Sequence, residues 1–244
     1  MIRDAADTMK KVSMELGGNA PLIVYDDADL ETALNVTVAT KYANAGQVCV
    51  TPDRMFIHES LHDAFVEGFA ARARAIKLGD GLDAPVGMGP LINAGRLDEI
   101  ESVVQDAVRG GARLAAGGVR PSAFNAGHFF EPTVLCDVTD DMKAFADENF
   151  GPIAAITRFR ADDEVLQRAN SCDMGLSAYA FTRSAARARR TVAELKAGMV
   201  GINSFALAAS EAPFGGTKFS GMGREGGIEG IQDYLDTKLA QMVL

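Results

Sequence analysis

Short apolar runs of strand period alternate along this chain with longer stretches of helical period. That alternation, more than any other feature, restricts the fold to a layered α/β domain. Residues 12–16 alternate and break at Gly17-Gly18, and residues 21–25 are a second short apolar run, so both read as strands. Leu30, Ala33, Leu34, Val38 and Tyr42 share one face of a helix predicted over 28–42, with Asp27 as its cap and Gly46 beyond its end. Cys49 therefore falls just after a helix. The same reading predicts a strand over 55–58, a helix over 61–76 opened by Ser60, and a helix over 95–108 closed by Gly110-Gly111. Further strands are expected near 130–135, 153–159, 176–181 and 199–202, with helices near 162–169 and 185–196. Helices between strands supply the crossovers that parallel pairing requires, so the predicted fold is an open, mostly parallel twisted sheet with flanking helices.

Composition excludes several functions. A net charge of −9 argues against nucleic acid as the main partner, because phosphate backbones are held by concentrated Lys and Arg. No apolar run approaches the roughly 20 residues of a membrane helix. The start, Met1-Ile2-Arg3-Asp4, carries no apolar signal core, so a cytoplasmic location is expected. Three cysteines without a CxxC pair form neither a disulfide framework nor a zinc site.

Four short segments carry possible chemistry. In Gly46-Gln47-Val48-Cys49-Val50 a cysteine at a helix end beside glycine can keep its sulfur accessible, although a cysteine between valines is commonly an inert core residue. Glu15-Leu16-Gly17-Gly18 puts a carboxyl where a strand meets a glycine turn, suited either to acting as a base on water or to simple solvation. Glu148-Asn149-Phe150-Gly151-Pro152 is by itself a loop entering a sheet, and 213–227 is a glycine-rich loop. Gly221-Met222-Gly223-Arg224-Glu225-Gly226 spells GxGxxG, but no strand precedes it and too little chain follows for a βαβ unit. Cys136 and Cys172, in or beside predicted elements, read as packing residues.

Taken in order, Met14-Glu15-Leu16-Gly17-Gly18-Asn19, the Cys49 motif, the Glu148 motif and Pro213-Phe214-Gly215-Gly216-Thr217-Lys218-Phe219-Ser220-Gly221 resemble the aldehyde dehydrogenase family over essentially the whole chain. The resemblance implies that Cys49 is the nucleophile, Glu15 the base for hydrolytic water, and Glu148 the acid that holds the nicotinamide ribose. It also puts Phe150 beside the nicotinamide and Gly17 among the cofactor contacts, with the Cys49 backbone N–H as an oxyanion donor. The implied cofactor is NAD or NADP, the partner a small-molecule aldehyde, and the assembly a homo-oligomer. In these terms residues 1–18 are a remnant of the cofactor-binding domain, 19–205 the catalytic thiol domain, 206–230 the return loop, and 231–244 an oligomerisation segment ending in a strand.

Family members carry the glycine turn for the dinucleotide and a second oxyanion donor in a preceding half, so this chain alone is not expected to turn over aldehyde. The tail is most similar to the succinate-semialdehyde dehydrogenase branch. Alanine stands at Ala43 and Ala208, however, where that branch often has arginine and serine to hold a substrate carboxylate. Two rival readings remain at this point: a hydrolase pairing Cys49 with His58, His62 or His128, and a noncatalytic oligomerising unit.

Overall fold

The computed structural model describes residues 1–82 and 85–244. A short helix α1 (Ile2–Ala6) and a two-residue strand β1 (Met14–Glu15) precede the main body. Then follow β2 (Ala20–Val24), α2 (Leu30–Tyr42), β3 (Pro52–His58), α3 (Glu59–Arg74), α4 (Ala94–Arg109), β4 (Arg113–Ala116), β5 (Thr133–Cys136) and α5 (Lys143–Ala146). The remainder is β6 (Ile153–Phe159), α6 (Asp162–Asn170), β7 (Met174–Gly175), β8 (Ser177–Phe181), α7 (Ala185–Glu194), β9 (Met199–Ile202), β10 (Thr217–Lys218) and β11 (Gly221–Met222).

The central sheet has seven strands in the order β4-β5-β6-β3-β2-β8-β9, and every pairing is parallel except β4 with β5. This is the predicted open, mostly parallel sheet. Its middle strands are buried on both faces, as parallel strands covered by helices must be: β2, β5 and β8 have no exposed position. Phe56 meets Phe145 edge-on with ring centres 5.2 Å apart, and Phe65 lies 5.5 Å from Phe69, so aromatic side chains fill the layers on either side.

Several boundaries differ from the sequence reading, each for a local reason. The cap of α2 is Asp29, whose carboxylate accepts the Thr32 N–H at 2.9 Å; Asp27 accepts instead from Thr182, the Arg183 N–H and Arg187. Helix α3 starts earlier than Ser60, because the His58 ring accepts the Ser60 N–H at 3.3 Å. Asn93 caps α4 in the same way through the Arg96 N–H. The first predicted strand shrinks to Met14–Glu15 and stays outside the main sheet, pairing with β11 in the glycine-rich tail. That tail, expected to be all loop, forms two short antiparallel ladders, β1-β11 and β10-β7. Helix α1 and strand β4 were not expected. The strand expected at the C-terminus is absent from the single chain: beyond a 3-10 turn at Gln232–Tyr234 the tail has no ladder, and Leu239, Met242, Val243 and Leu244 are exposed. A strand needs a neighbour, and here the chain provides none.

His62 is fully buried on α3 with its Nε2 unpartnered, while its Nδ1 lies 3.1 Å from Asp63. Burial lowers its pKa from the usual 6.5. A histidine whose folded pKa is depressed leaves stability intact above the unfolded value and erodes it as pH falls below. We therefore expect the melting temperature of the chain to decline as pH drops from about 7 to about 5, and His62→Leu to flatten that limb. An unchanged limb in the variant would assign the acid sensitivity elsewhere.

Candidate active site

Four chain segments meet in front of the N-terminal ends of the parallel strands: 15–19 before β2, 43–51 before β3, 147–152 before β6, and Leu176 before β8. Their closeness is read from the glycines. A Cβ on Gly18 would sit 2.6 Å from the Cys49 carbonyl oxygen and 3.3 Å from the Leu176 side chain. One on Gly46 would lie 2.1 Å from the Gly151 carbonyl oxygen, so the cysteine loop rests directly on the turn that follows Glu148.

Helix α2 stops at Tyr42 because the next residues leave helical geometry. Asn44, Ala45 and Gly46 are all left-handed, with φ of 50°, 55° and 72°. For asparagine and alanine this costs on the order of 1–2 kcal/mol each. The Gln47 side chain offsets that cost: its amide donates to the Asn44 carbonyl (3.1 Å) and its Oε1 accepts the Ile92 N–H (2.9 Å). Asn44 returns a bond to the Gln47 carbonyl at 3.0 Å, and Tyr179 Oη, on β8, donates to the Val50 carbonyl at 2.8 Å. Cys49 is thus held from both flanks.

The Cys49 thiol is half-buried, and its pKa is pushed up to about 11, by burial first and by the negative charge of Glu15 next; Glu148 adds a smaller push. Both carboxylates therefore act on the same sulfur. No cation is among its main influences, and no histidine. His58 caps α3 and packs edge-on against Phe159, His62 is buried beside Asp63, and neither hydrogen-bonds the cysteine loop among the described residues. The Cys49 N–H has no backbone acceptor among the described residues.

Glu15 is exposed on β1, where the ladder with β11 pairs it with Gly221. Only glycine fits at 221, since a Cβ there would lie 1.9 Å from the Met14 carbonyl oxygen. The GxGxxG segment thus begins by supporting Glu15 and does not open a βαβ unit.

Glu148 is half-buried and its pKa is raised, chiefly by burial. Its Oε1 accepts the Gly18 N–H at 2.8 Å, whereas Oε2 has no donor among the described residues. A Cβ on Gly17 would stand 2.3 Å from that Oε2, so any larger residue there would push the carboxylate aside. A carboxylate with one oxygen anchored and one open suits the vicinal hydroxyls of a ribose, and the partly exposed ring of Phe150 beside it suits a flat heterocycle. Arg96 holds this loop by donating to the Asn149 and Phe150 carbonyls, and Asn149 donates to the Ala144 carbonyl at 2.7 Å.

A cavity of about 500 Å³ borders Glu148 and is lined also by Arg54, Phe145, Met174 and Phe219. Cys172 also lines it and is only half-buried, so it is not the packing residue expected; Cys136, by contrast, is fully buried. Ala43 and Ala208 are both exposed, and Ala208 borders a separate cavity of about 480 Å³ with Ser210, Phe214 and Glu225. Gln47, Tyr179, Arg96, Lys41 and Asp53 were not singled out from the sequence. Polar side chains in loops are unremarkable until their partners are known, and only Gln47 stood within a quoted motif.

Comparison with known proteins fits this geometry. The model of the aldehyde dehydrogenase family matches residues 1–240. A 3-sulfolactaldehyde dehydrogenase of Pseudomonas putida is 47% identical over 98% of this chain, which covers 49% of that protein. The crystal structure of a succinate-semialdehyde dehydrogenase from Burkholderia pseudomallei superposes with a TM-score of 0.92 at 45% identity, covering 96% of this chain and 48% of the other. An NAD+ complex of a Bacillus cereus aldehyde dehydrogenase matches with a TM-score of 0.92 at 37% identity, covering 96% of this chain and 47% of that one. The chain thus spans about half the length of the relatives it matches.

Proposed function

Because the chain belongs to the aldehyde dehydrogenase family, we propose that it supplies the thiol-bearing half of an enzyme that oxidises an aldehyde to its carboxylic acid with NAD or NADP. The observation that supports this best is that Gly18 joins the Glu15, Cys49 and Glu148 segments, donating its N–H to Glu148 at 2.8 Å and packing against the Cys49 carbonyl, with both carboxylates acting on the Cys49 thiol. With its pKa near 11 the thiol is protonated at neutral pH, and it gives up that proton to solvent as sulfur attacks the aldehyde carbon. The carbonyl oxygen becomes an oxyanion, and the Cys49 N–H is the donor at hand for it. Collapse of this hemithioacetal restores the C=O bond and expels hydride, leaving a thioester on Cys49. The nicotinamide ring, when bound, is the acceptor of that hydride. Glu15 then takes a proton from water as the water oxygen attacks the thioester carbon; the C–S bond breaks, and the acid and the free cysteine are released.

Glu148 and Phe150, with Gly17 making space, are the residues of this chain suited to hold the nicotinamide riboside end. The names of the relatives favour an aldehyde bearing an acidic group, succinate semialdehyde among them. Alanines at 43 and 208 supply no hydrogen bond to such a group, so any anchor for it must come from other positions. Self-association through the apolar residues of 231–244 accompanies this reading, since an extended segment with no ladder of its own can pair with a second copy's sheet.

The test is an aldehyde panel with both cofactors, applied to a form of the protein that includes a cofactor-binding half and followed by intact mass. Reduced cofactor together with an acyl adduct on Cys49 supports the reading. Absence of both with every aldehyde would sink it. The isolated 244-residue chain is expected to release no reduced cofactor, and steady NADH production by it would overturn that expectation.

A further inference from the structure

Lys41 and Asp53 form an ion pair at 2.6 Å with side chains 0% and 5% exposed. The two residues are 12 apart, and the cysteine loop is the chain between them. Lys41 is in the last turn of α2 and Asp53 is the second residue of β3, so the pair closes the base of the loop that carries Cys49. The loop also folds back on this base: a Cβ on Gly46 would come 3.2 Å from the Lys41 carbonyl oxygen. The second oxygen of Asp53 accepts the Asn149 N–H at 3.3 Å, one residue past Glu148. A single carboxylate thus touches both segments that carry candidate chemistry.

Stability is a weak reason for such a pair, because two buried charges often do no better than apolar side chains of the same volume. What an apolar pair cannot do is fix direction, holding a helix end, a strand start and a loop amide in one arrangement. We infer that Lys41 and Asp53 are positioning residues, a buried clamp that sets the Cys49 loop against the Glu148 loop. The inference rests on the reading of Cys49 as nucleophile, but its test needs no turnover.

Lys41→Met alone strands a buried carboxylate and threatens folding. The informative variant is therefore Lys41→Met/Asp53→Leu, in which no buried charge remains. Its alkylation by iodoacetamide is compared with that of the unaltered chain, residue by residue, with half-buried Cys172 as the internal reference. Freed of the clamp, the loop loosens and Cys49 gains solvent. The midpoint of its pH-rate profile is expected to move from about 11 toward the ordinary 9.0. At pH 8 that shift raises the thiolate fraction about a hundredfold, and the lower nucleophilicity of a less basic thiolate reduces the gain to about tenfold. Lys41→Met/Asp53→Asn keeps an acceptor for the Asn149 N–H and is expected to show a smaller change.

A folded double variant with unchanged midpoint and unchanged Cys49 to Cys172 ratio overturns the clamp. Hydrogen exchange on the unaltered chain is a second arm that does not depend on any variant folding. The Gln47, Thr51 and Asn149 amides are expected to open together, and an Asn149 amide exchanging on a timescale of its own overturns the proposal as well. Failure of the clamp would leave the Cys49 chemistry standing. Lack of any Cys49 acyl adduct with aldehyde would instead count against the proposed function.

Discussion

Replacing Cys49 with alanine is expected to lower aldehyde oxidation, in a form of the protein with a cofactor-binding half, by about 10⁴-fold or more, because no covalent intermediate can form. Glu15→Gln should behave differently. The first hydride is still released, but hydrolysis loses its base and slows by about 10² to 10⁴, so an acyl adduct accumulates on Cys49 and becomes visible by intact mass. The variant carries an electrostatic signature too. Glu15 is the main charged influence holding the Cys49 pKa near 11, so removing its charge lowers that pKa and increases the thiolate present at pH 8. Cys49 in Glu15→Gln should therefore be alkylated faster than in the unaltered chain while turning over more slowly. Slower alkylation in this variant, or an equal loss of hydride release and hydrolysis, would remove Glu15 from the proposed role.

The second large effect is structural. Gly46→Ala should destabilise the chain by about 3 kcal/mol, since alanine pays about 1–2 kcal/mol for the left-handed conformation and must displace its neighbour besides. That neighbour is backbone: at φ 72° the new Cβ would be 2.1 Å from the Gly151 carbonyl oxygen, which cannot rotate away as a side chain would. For a chain of this length, 3 kcal/mol corresponds to a drop in melting temperature of about 6–12 °C. Because Gly46 adjoins both the cysteine loop and the turn after Glu148, selectivity of alkylation for Cys49 should fall in parallel. A melting temperature within about 2 °C of the unaltered chain would mean that the two loops are not in contact as described.

Both expectations begin from residues visible in the sequence, but for different reasons. Cys49, Glu15 and Glu148 stood out because thiols and carboxyls next to glycine are chemically conspicuous, and their order along the chain carried the family resemblance. Their convergence was not visible, since 130 residues separate Gly18 from Glu148 and no local pattern encodes that contact. Cys172 was misjudged for the same reason: its surroundings read like a packed element, yet it borders an open cavity. Of the histidines considered as partners for a hydrolase, His58 turned out to be committed to a helix cap and His62 to a buried contact with Asp63.

Sequence periodicity alone determined the layered α/β fold, the mostly parallel sheet and the approximate place of most of its helices and strands, because burial of one face or both imposes a repeat on neighbouring residues. Tertiary structure decided what that repeat does not register. It assigned Asp29 and not Asp27 to cap α2, since distant Thr182 and Arg187 claim the other carboxylate. Strand β4 exists because β5 offers it an edge, while the apolar tail forms no strand because its own chain offers it none. Hydrogen bonds and ion pairs between segments far apart in the chain, such as Lys41 with Asp53 and Asp53 with Asn149, follow only once the sheet has brought those segments together.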